Sequence, residues 1–365
     1  MPARANSIIV VGGGVIGCSI LYFLAKRGLR PILVEVGEIG SGASDAAAGS
    51  LLVRTEDQRL HKLAEASFEM FPDLVSELME LGGTDPMYSR TPRLDVALDE
   101  EGEGELKGWL DNPTLRGFNP EWVKVDDLRT VEPLLGPGIL GGLHIESSAI
   151  VSGKQLACAF VSAAKTLGAE VRTRLREVRL LRRGRRVTGV QTGDGEVWEA
   201  DLVTLAAGVW CRPIAAAVGL DVDVAPAKGQ TIRLRLACGE HMRTNIYGPG
   251  AILVPRPDGS LIAGYTIESA GFDCTPTVSG VRHILDHTVP LVPALAGAAV
   301  ERPQAGLRPE TSTGLPILGR IPDFEGIALA TGHYRVGIAL SPITGRMVAD
   351  HLIDGAPIPA ELRPT

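Results

Sequence analysis

Three glycines at fixed spacing and one distant acid carry the first chemical signal. Gly12, Gly14 and Gly17 fill the glycine positions of G-x-G-x-x-G, and Glu35 stands roughly twenty residues beyond the turn. Gly12 permits a tight turn, Gly14 lets the backbone approach a pyrophosphate, and Gly17 lets a helix lie close to a strand. The N–H groups that open such a helix, those of Val15 and Ile16 included, face phosphate together with the positive end of the helix dipole. A carboxylate at Glu35 can accept from a ribose hydroxyl and argues against a 2′-phosphate. The chemistry is dinucleotide binding, and the motif serves NAD and FAD alike.

The element that must position these residues reads as strand, turn, helix, strand over Ser7 to Glu35. Ile8 to Val11 is an unbroken apolar run, as a strand buried on both faces should be. Gly17, Ile20, Leu21 and Leu24 recur at helical spacing. Lys26 and Arg27 suit the last turn, Gly28 can end it with positive φ, and Pro31 opens the next strand.

Further along, SGASDAAAG offers small residues that let backbone lie flat against a large ligand. Arg59 to Leu81 has helical periodicity, with Pro72 marking a break or a new first turn and Gly82-Gly83 an end. From there to His144 the pattern is short and irregular, read as an inserted region. Ser152 can cap a helix to Leu167, followed by a strand at Glu170–Arg174 and a hairpin through Arg182–Arg186. Asp201 to Trp210 is an apolar strand running into Ala206-Ala207-Gly208, small residues that admit a cofactor. Long alternating strands then appear at Thr231–Leu236, Ala251–Arg256 and Leu261–Ile267, with a turn at Pro257-Asp258-Gly259. Helices are predicted at Val278–Val289 and from Ser341, with Pro342 at the first position, to Ile353; Ile327–Thr331 is a buried strand. The fold class is α/β: a Rossmann-type domain with an inserted α+β domain built on an antiparallel sheet. Residues 1–81, 145–222 and 304–365 form the first domain, and 82–144 and 223–303 the second.

Composition narrows the function classes. The 365 residues are 45% hydrophobic and 22% charged, with net charge −7, which gives no support for nucleic-acid binding. The basic cluster around Gly184 reads as a solvated hairpin tip. No segment has the apolar length of a membrane helix, and the first strand begins too early for a signal peptide. Five scattered cysteines without C-x-x-C suit reduced thiols in a cytoplasm, and His283 and His287 lack the acid of a metal motif. No metal site is expected.

Several stretches together resemble one family: VVGGGVIGCSI with VE, SGASDAAAG, VTLAAGVW, VAPAKGQTIRL, LVPRPDGSLIAGYT, and GLRPETSTGLPILG followed by ATGHYRVGIALSPITG. The chain is similar over nearly its whole length to the D-amino-acid oxidase family of FAD-dependent oxidoreductases, most of all to its glycine oxidase branch. The resemblance implies non-covalent FAD, because the similar sarcosine oxidases attach flavin through a cysteine near the position of Arg308, and none stands there. It places the ADP half on Gly12–Gly17 and Glu35, with Val178 near the adenine. It places the flavin half against Ala43, Ser44, Ala47, Ala48, Gly49 and the segment Gly332–Ile338, with Gly332, His333, Val336, Gly337 and Ile338 in it.

The resemblance also puts Arg308 on a substrate carboxylate, a task suited to a planar, permanently charged guanidinium, and Arg335 at the flavin edge. His333 is expected to shape its turn by hydrogen bonding. Family glycine oxidases carry a carboxylate-binding tyrosine where this chain has Ile252, with Tyr247 a few residues earlier; Tyr265 could partly replace it. The implied reaction is oxidative deamination of glycine, sarcosine or a small D-amino acid with O2 as acceptor, as in oxidases that serve thiamine biosynthesis. Rival readings are a dehydrogenase using a quinone or other acceptor, an enzyme acting on 2-hydroxy acids, a flavin-holding protein without turnover, and an NAD-dependent dehydrogenase. A homo-oligomer is compatible with the sequence.

Overall fold

The computed structural model describes residues 7–237 and 239–365, so Cys238 lies outside the described residues. A six-stranded sheet runs in the order Ile317–Arg320, Ile327–Thr331, Leu202–Leu205, Ile8–Val11, Ile32–Val34, Glu170–Arg172. All its pairs are parallel except the first. Ile8 and Val10 point into one core and Ile9 and Val11 into another, which is why this strand is apolar at every position. The helices Val15–Lys26, Gln58–Gly82, Gly153–Thr166 and Gly337–Asp354 cover the first face. A three-stranded sheet made by Val178–Arg183, Arg186–Thr192 and Val197–Glu199 covers the second, with the Cys211–Ala216 helix.

An eight-stranded sheet stands beside it, in the order Ala299–Glu310, Ala225–Arg235, Ser260–Gly264, Ala251–Pro255, Asn245–Gly248, Arg93–Ala97, Gly141–Ile145, Pro120–Lys124. Strands from the irregular 82–144 stretch thus hydrogen-bond into one sheet with those that follow Val222. The helix Val278–Thr288 packs against it through Ile284.

Three local expectations change. Pro72 neither breaks nor starts a helix: Gln58–Gly82 is continuous through it. Proline removes one N–H and crowds the preceding turn, but the face carrying Ala64, Ser67, Phe71, Leu74 and Leu78 stays buried on both sides of it. The last helix begins at Gly337, not Ser341. Pro342 cannot donate to the carbonyl of Ile338, and the Ser341 hydroxyl donates to that carbonyl instead at 2.9 Å. Proline therefore costs little here, and the helix extends four residues further back. The third change is the strand Ala299–Glu310, twelve residues long, where no strand is expected from the sequence before Ile327.

Gly17 packs as its spacing predicts: a Cβ there would stand 2.0 Å from the carbonyl oxygen of Gly12. Gly17→Ala should push the helix off the strand and cost about 1–3 kcal/mol. A denaturant midpoint unchanged from the parent protein would contradict this packing.

Candidate functional site

One cavity of about 790 Å3 opens where the parallel strands end. Val11, Val34, Ala206 and Ala330 mark those strand ends, and Gly229, Thr231, Tyr247, Ile252 and Tyr265 line it from the other sheet. Ligands bind at the carboxyl ends of such strands because loops and helix N-termini converge there. Of the residues expected from sequence, the cavity brings together Gly12, Gly14, Val15, Ile16, Glu35, Ala43, Ser44, Ala47, Ala48, Gly49, Val178, Ala207, Gly208, His333, Gly337, Ile338, Tyr265, Arg308 and Arg335. Gly17, Gly332 and Val336 are not on its wall. Gly17 faces the strand behind the turn, Gly332 turns the chain with φ +80°, and Val336 precedes the last helix as its N-cap.

At one end the geometry is that of a dinucleotide cradle. The helices Val15–Lys26 and Gly337–Asp354 both start at the cavity, and neither is capped by the side chain of its own N-cap residue, Gly14 or Val336. Such ends carry partial positive charge and favour phosphate or another electron-rich group. The Val15 N–H donates to Ser44 Oγ at 3.0 Å, tying the small-residue loop to the first helix. Glu35 accepts from the N–H of Gly13 at 2.5 Å and of Gly37 at 2.6 Å. A carboxylate has about four acceptor positions, so capacity for a hydroxyl remains.

The small-residue loop is also held from behind. Arg256, which is 8% exposed, donates to the carbonyls of Ala48 at 2.5 Å and Val151 at 2.8 Å. Burial pulls its guanidinium down to about 10.

The other end is cationic. Arg308 projects from the long strand Ala299–Glu310, and its Nη1 donates to the carbonyls of Thr266 at 3.0 Å and Lys228 at 3.4 Å. Its guanidinium lies over Gly229 in the adjoining strand, where a Cβ would come within 2.1 Å of both terminal nitrogens. Burial, and then the charge of Arg335, pulls Arg308 below its ordinary value. The Arg335 guanidinium stacks on the Tyr265 ring, 4.5 Å from its centroid. His333 is buried, with Nε2 3.1 Å from Thr344 Oγ1.

Gly229 and Thr231 join the site without having been singled out, beside Tyr247, which stands a few residues before Ile252, and Tyr334, which falls within the segment 332–338 expected at the flavin. An isolated glycine inside a strand pattern signals close approach of another group, so Gly229 was findable. Tyr334, inside that segment, has a φ of +43°. Tyr247 sits directly across the hairpin from Ile252, a register visible only once the strands are paired. His283 and His287 lie with rings 4.2 Å apart, and His287 Nδ1 bonds the His283 carbonyl. Among the described residues no group of three or more His, Cys, Asp or Glu gathers as a metal site, and no helix is long and apolar enough to cross a membrane.

Fold and cavity define a dinucleotide-dependent oxidoreductase with a guanidinium-lined substrate end. The family described as "DAO: FAD dependent oxidoreductase" matches residues 7–351, and the chain belongs to it. Its cofactor is FAD. The chain is 32% identical over 358 residues to the glycine oxidase of Bacillus licheniformis, covering 97% of this chain and 94% of that one. Among solved structures, glycine oxidase from Bacillus cereus ATCC 14579 aligns with TM-score 0.91 and 31% identity, covering 98% of this chain and 99% of that one. Iminodiacetate oxidase from Chelativorans sp. BNC1 aligns with TM-score 0.88 and 26% identity, covering 98% and 99%. The two helix starts and the glycine turn fit FAD's pyrophosphate, and the long cavity beyond them leaves space for its ring system.

Two outcomes follow from this geometry. Gly229→Ala should displace the Arg308 guanidinium and weaken binding of a simple carboxylate by about tenfold or more, the loss of a charged hydrogen bond; unchanged affinity in a spectral titration would contradict the close approach. Burial lowers the His333 imidazole to about 3 from 6.5, so its contribution to stability is present above pH 6.5 and lost as pH falls towards 3. Thermal unfolding of His333→Gln from about pH 7 to about pH 4 should show a shallower acid limb than the parent. Parallel limbs would show that His333 is not held neutral.

Proposed function

We propose that this enzyme oxidatively deaminates a small α-amino or N-alkyl amino acid, glycine-like in size, with Arg308 holding the substrate carboxylate. The observation that carries this reading is a half-buried guanidinium whose hydrogen bonds go to carbonyl oxygens and which has no carboxylate partner among the described residues. It is supported by the glycine oxidases among the relatives.

In this reading Gly12, Gly14, Val15, Ile16, Glu35 and Val178 hold the ADP half of FAD, and Ala43 to Gly49 with Gly337 and Ile338 hold the flavin half. FAD, when bound, accepts two electrons and a hydrogen from the substrate Cα–H and returns the electrons to O2, releasing H2O2. The amine becomes an imine, which water hydrolyses to the oxo acid and an amine or ammonia.

The chain's own share is orientation and exclusion of water. Arg308 fixes the carboxylate, and with it the direction of the Cα–H bond. Tyr265 keeps Arg335 at the same end of the cavity by stacking. Ile252 packs with Ile150, Val254, Tyr247, Ala48 and Tyr265, so the wall beside the substrate is apolar with phenols at its margin. His333 stays neutral, its Nε2 already partnered by Thr344, and serves the turn instead of removing a proton. We assign FAD binding to 7–81, 145–222 and 311–365, and the cover over the substrate to 82–144 and 223–310, because the strand Ala299–Glu310 that carries Arg308 runs in the eight-stranded sheet and moves the expected boundary at 304. A cytoplasmic enzyme with O2 as acceptor completes the proposal.

Anaerobic mixing with glycine, sarcosine, D-alanine, D-proline and 2-hydroxy acids, followed by air, tests it. An amino acid should bleach the flavin and air should restore it rapidly; bleaching by 2-hydroxy acids alone, or slow recovery in air with brisk dye reduction, would overturn the assignment. Arg308→Ala should raise KM by about tenfold to a hundredfold, as loss of a charge-assisted pair does. An unchanged KM with flavin reduction abolished would remove Arg308 from carboxylate binding.

A further inference from the structure

The short run that leaves the strand Ser260–Gly264 touches both arginines of the substrate end. Tyr265 lies under the Arg335 guanidinium, and the Thr266 carbonyl accepts from Arg308 Nη1 at 3.0 Å. Two residues further, Glu268 closes a backbone bridge with Lys228, in which each N–H donates to the other's carbonyl at 2.9 Å. The Lys228 carbonyl is the second one that receives Arg308. Both carbonyls that hold the guanidinium are thus tied to Glu268 or to its neighbour two places back.

The Glu268 side chain braces the same joint. Its Oε1 accepts from the Thr266 hydroxyl and from Gln230 Nε2 at 2.7 Å. Gln230, 1% exposed, also donates its backbone N–H to that hydroxyl at 2.9 Å. Thr277, the N-cap of the helix Val278–Thr288, pins Gln230 in turn by donating its N–H to Oε1 at 2.8 Å. Hydrogen bonds to a carboxylate favour its charged form, and Glu268 forms no ion pair within 4.0 Å among the described residues. The Lys228 ammonium lies instead 3.5 Å from Asp273.

Glu268 is therefore an unneutralised negative charge set behind Thr266, off the cavity wall. Arg308 feels it: burial and then Arg335 pull that guanidinium down, while Glu268 acts in the opposite direction. With Lys228 and Asp273 cancelling, Arg308, Arg335 and Glu268 leave one net positive charge, which a single carboxylate balances. The placement decides what this charge can do. A carboxylate in contact with Arg308 would take the N–H edge that a substrate needs. Held behind Thr266, it offsets the cost of a half-buried cation and leaves that edge open.

We infer that Glu268 is the built-in counter-charge of the arginine pair, a positioning residue that stabilises the substrate end and lowers its affinity for anions. This rests on the assignment of Arg308 to the substrate carboxylate and adds what sets the strength of that contact. Two effects of opposite sign follow from the one charge. Without it an incoming anion is attracted more strongly, and the two guanidiniums repel each other with less compensation.

Acetate binding to the FAD-loaded protein, read as the flavin absorbance change, and urea unfolding of the same preparations test this. Glu268→Gln keeps an acceptor for the Thr266 hydroxyl and removes the charge. It should bind acetate about threefold to tenfold more tightly than the parent and unfold at a lower urea concentration. Glu268→Asp keeps the charge on a shorter stem, and its acetate affinity should stay within about twofold of the parent's.

A role in packing alone would weaken acetate binding and stability together in Glu268→Gln, and that result overturns the inference. Unchanged acetate affinity does so too. So does a gain in Glu268→Asp equal to that in Glu268→Gln, which would trace the gain to lost hydrogen bonds. Arg308→Ala separates the two levels of failure. If it abolishes acetate binding while Glu268→Gln fails to tighten it, Arg308 keeps its assignment and only this inference falls. If Arg308→Ala binds acetate as the parent does, both fall.

Discussion

The contact between the Arg308 guanidinium and the bare backbone of Gly229 constrains the rest of the site. A half-buried cation with no carboxylate in hydrogen-bond contact is costly to hold. Here carbonyl dipoles from Thr266 and Lys228 solvate it in part and leave the charge itself available. The arrangement requires two long antiparallel strands, Ala225–Arg235 and Ala299–Glu310, paired so that Ala227 faces Arg308 and Gly229 is diagonal to it. It also requires a residue without a side chain at 229. Strand length, register and glycine placement answer to this one electrostatic need.

At the opposite end the charges are managed differently. Glu35, Glu38 and Glu177 are each satisfied locally, by backbone N–H groups or by exposed arginines. The field along the cavity therefore runs from helix-dipole donors at the phosphate region to two guanidiniums at the substrate end. A negative cofactor and a negative substrate are both received by fixed positive potential, supplied by backbone in one place and by side chains in the other.

Legibility in the sequence followed the range of the physics involved. The first strand, turn and helix were readable because apolar runs, glycine spacing and caps act within a few residues; Ser152 capping Gln155 is another such case. Pro342 misled for the same reason: as a local signal it marks a helix start, but the Ser341 hydroxyl covers the carbonyl it leaves open, and the helix begins earlier. The strands Arg93–Ala97, Pro120–Lys124 and Gly141–Ile145 were hidden because they gain their partners from across the sheet. In the site, Arg308 and Arg335 were visible through a family resemblance, whereas Tyr247 opposite Ile252 and the stacking of Arg335 on Tyr265 depend on long-range register and packing.

Arg256 has a kinetic side. Its guanidinium is nearly sealed from solvent and clasps the carbonyls of Ala48 and Val151, while Val151 N–H returns a bond to Gly49. For the 47–49 segment to swing away, that cation would have to surrender its dipoles inside an apolar surrounding or be dragged outward with the loop. Either route raises the barrier to breathing at this edge. The segment is tied as a wall, so release of whatever rests against it is expected to go through more easily opened parts of the cavity.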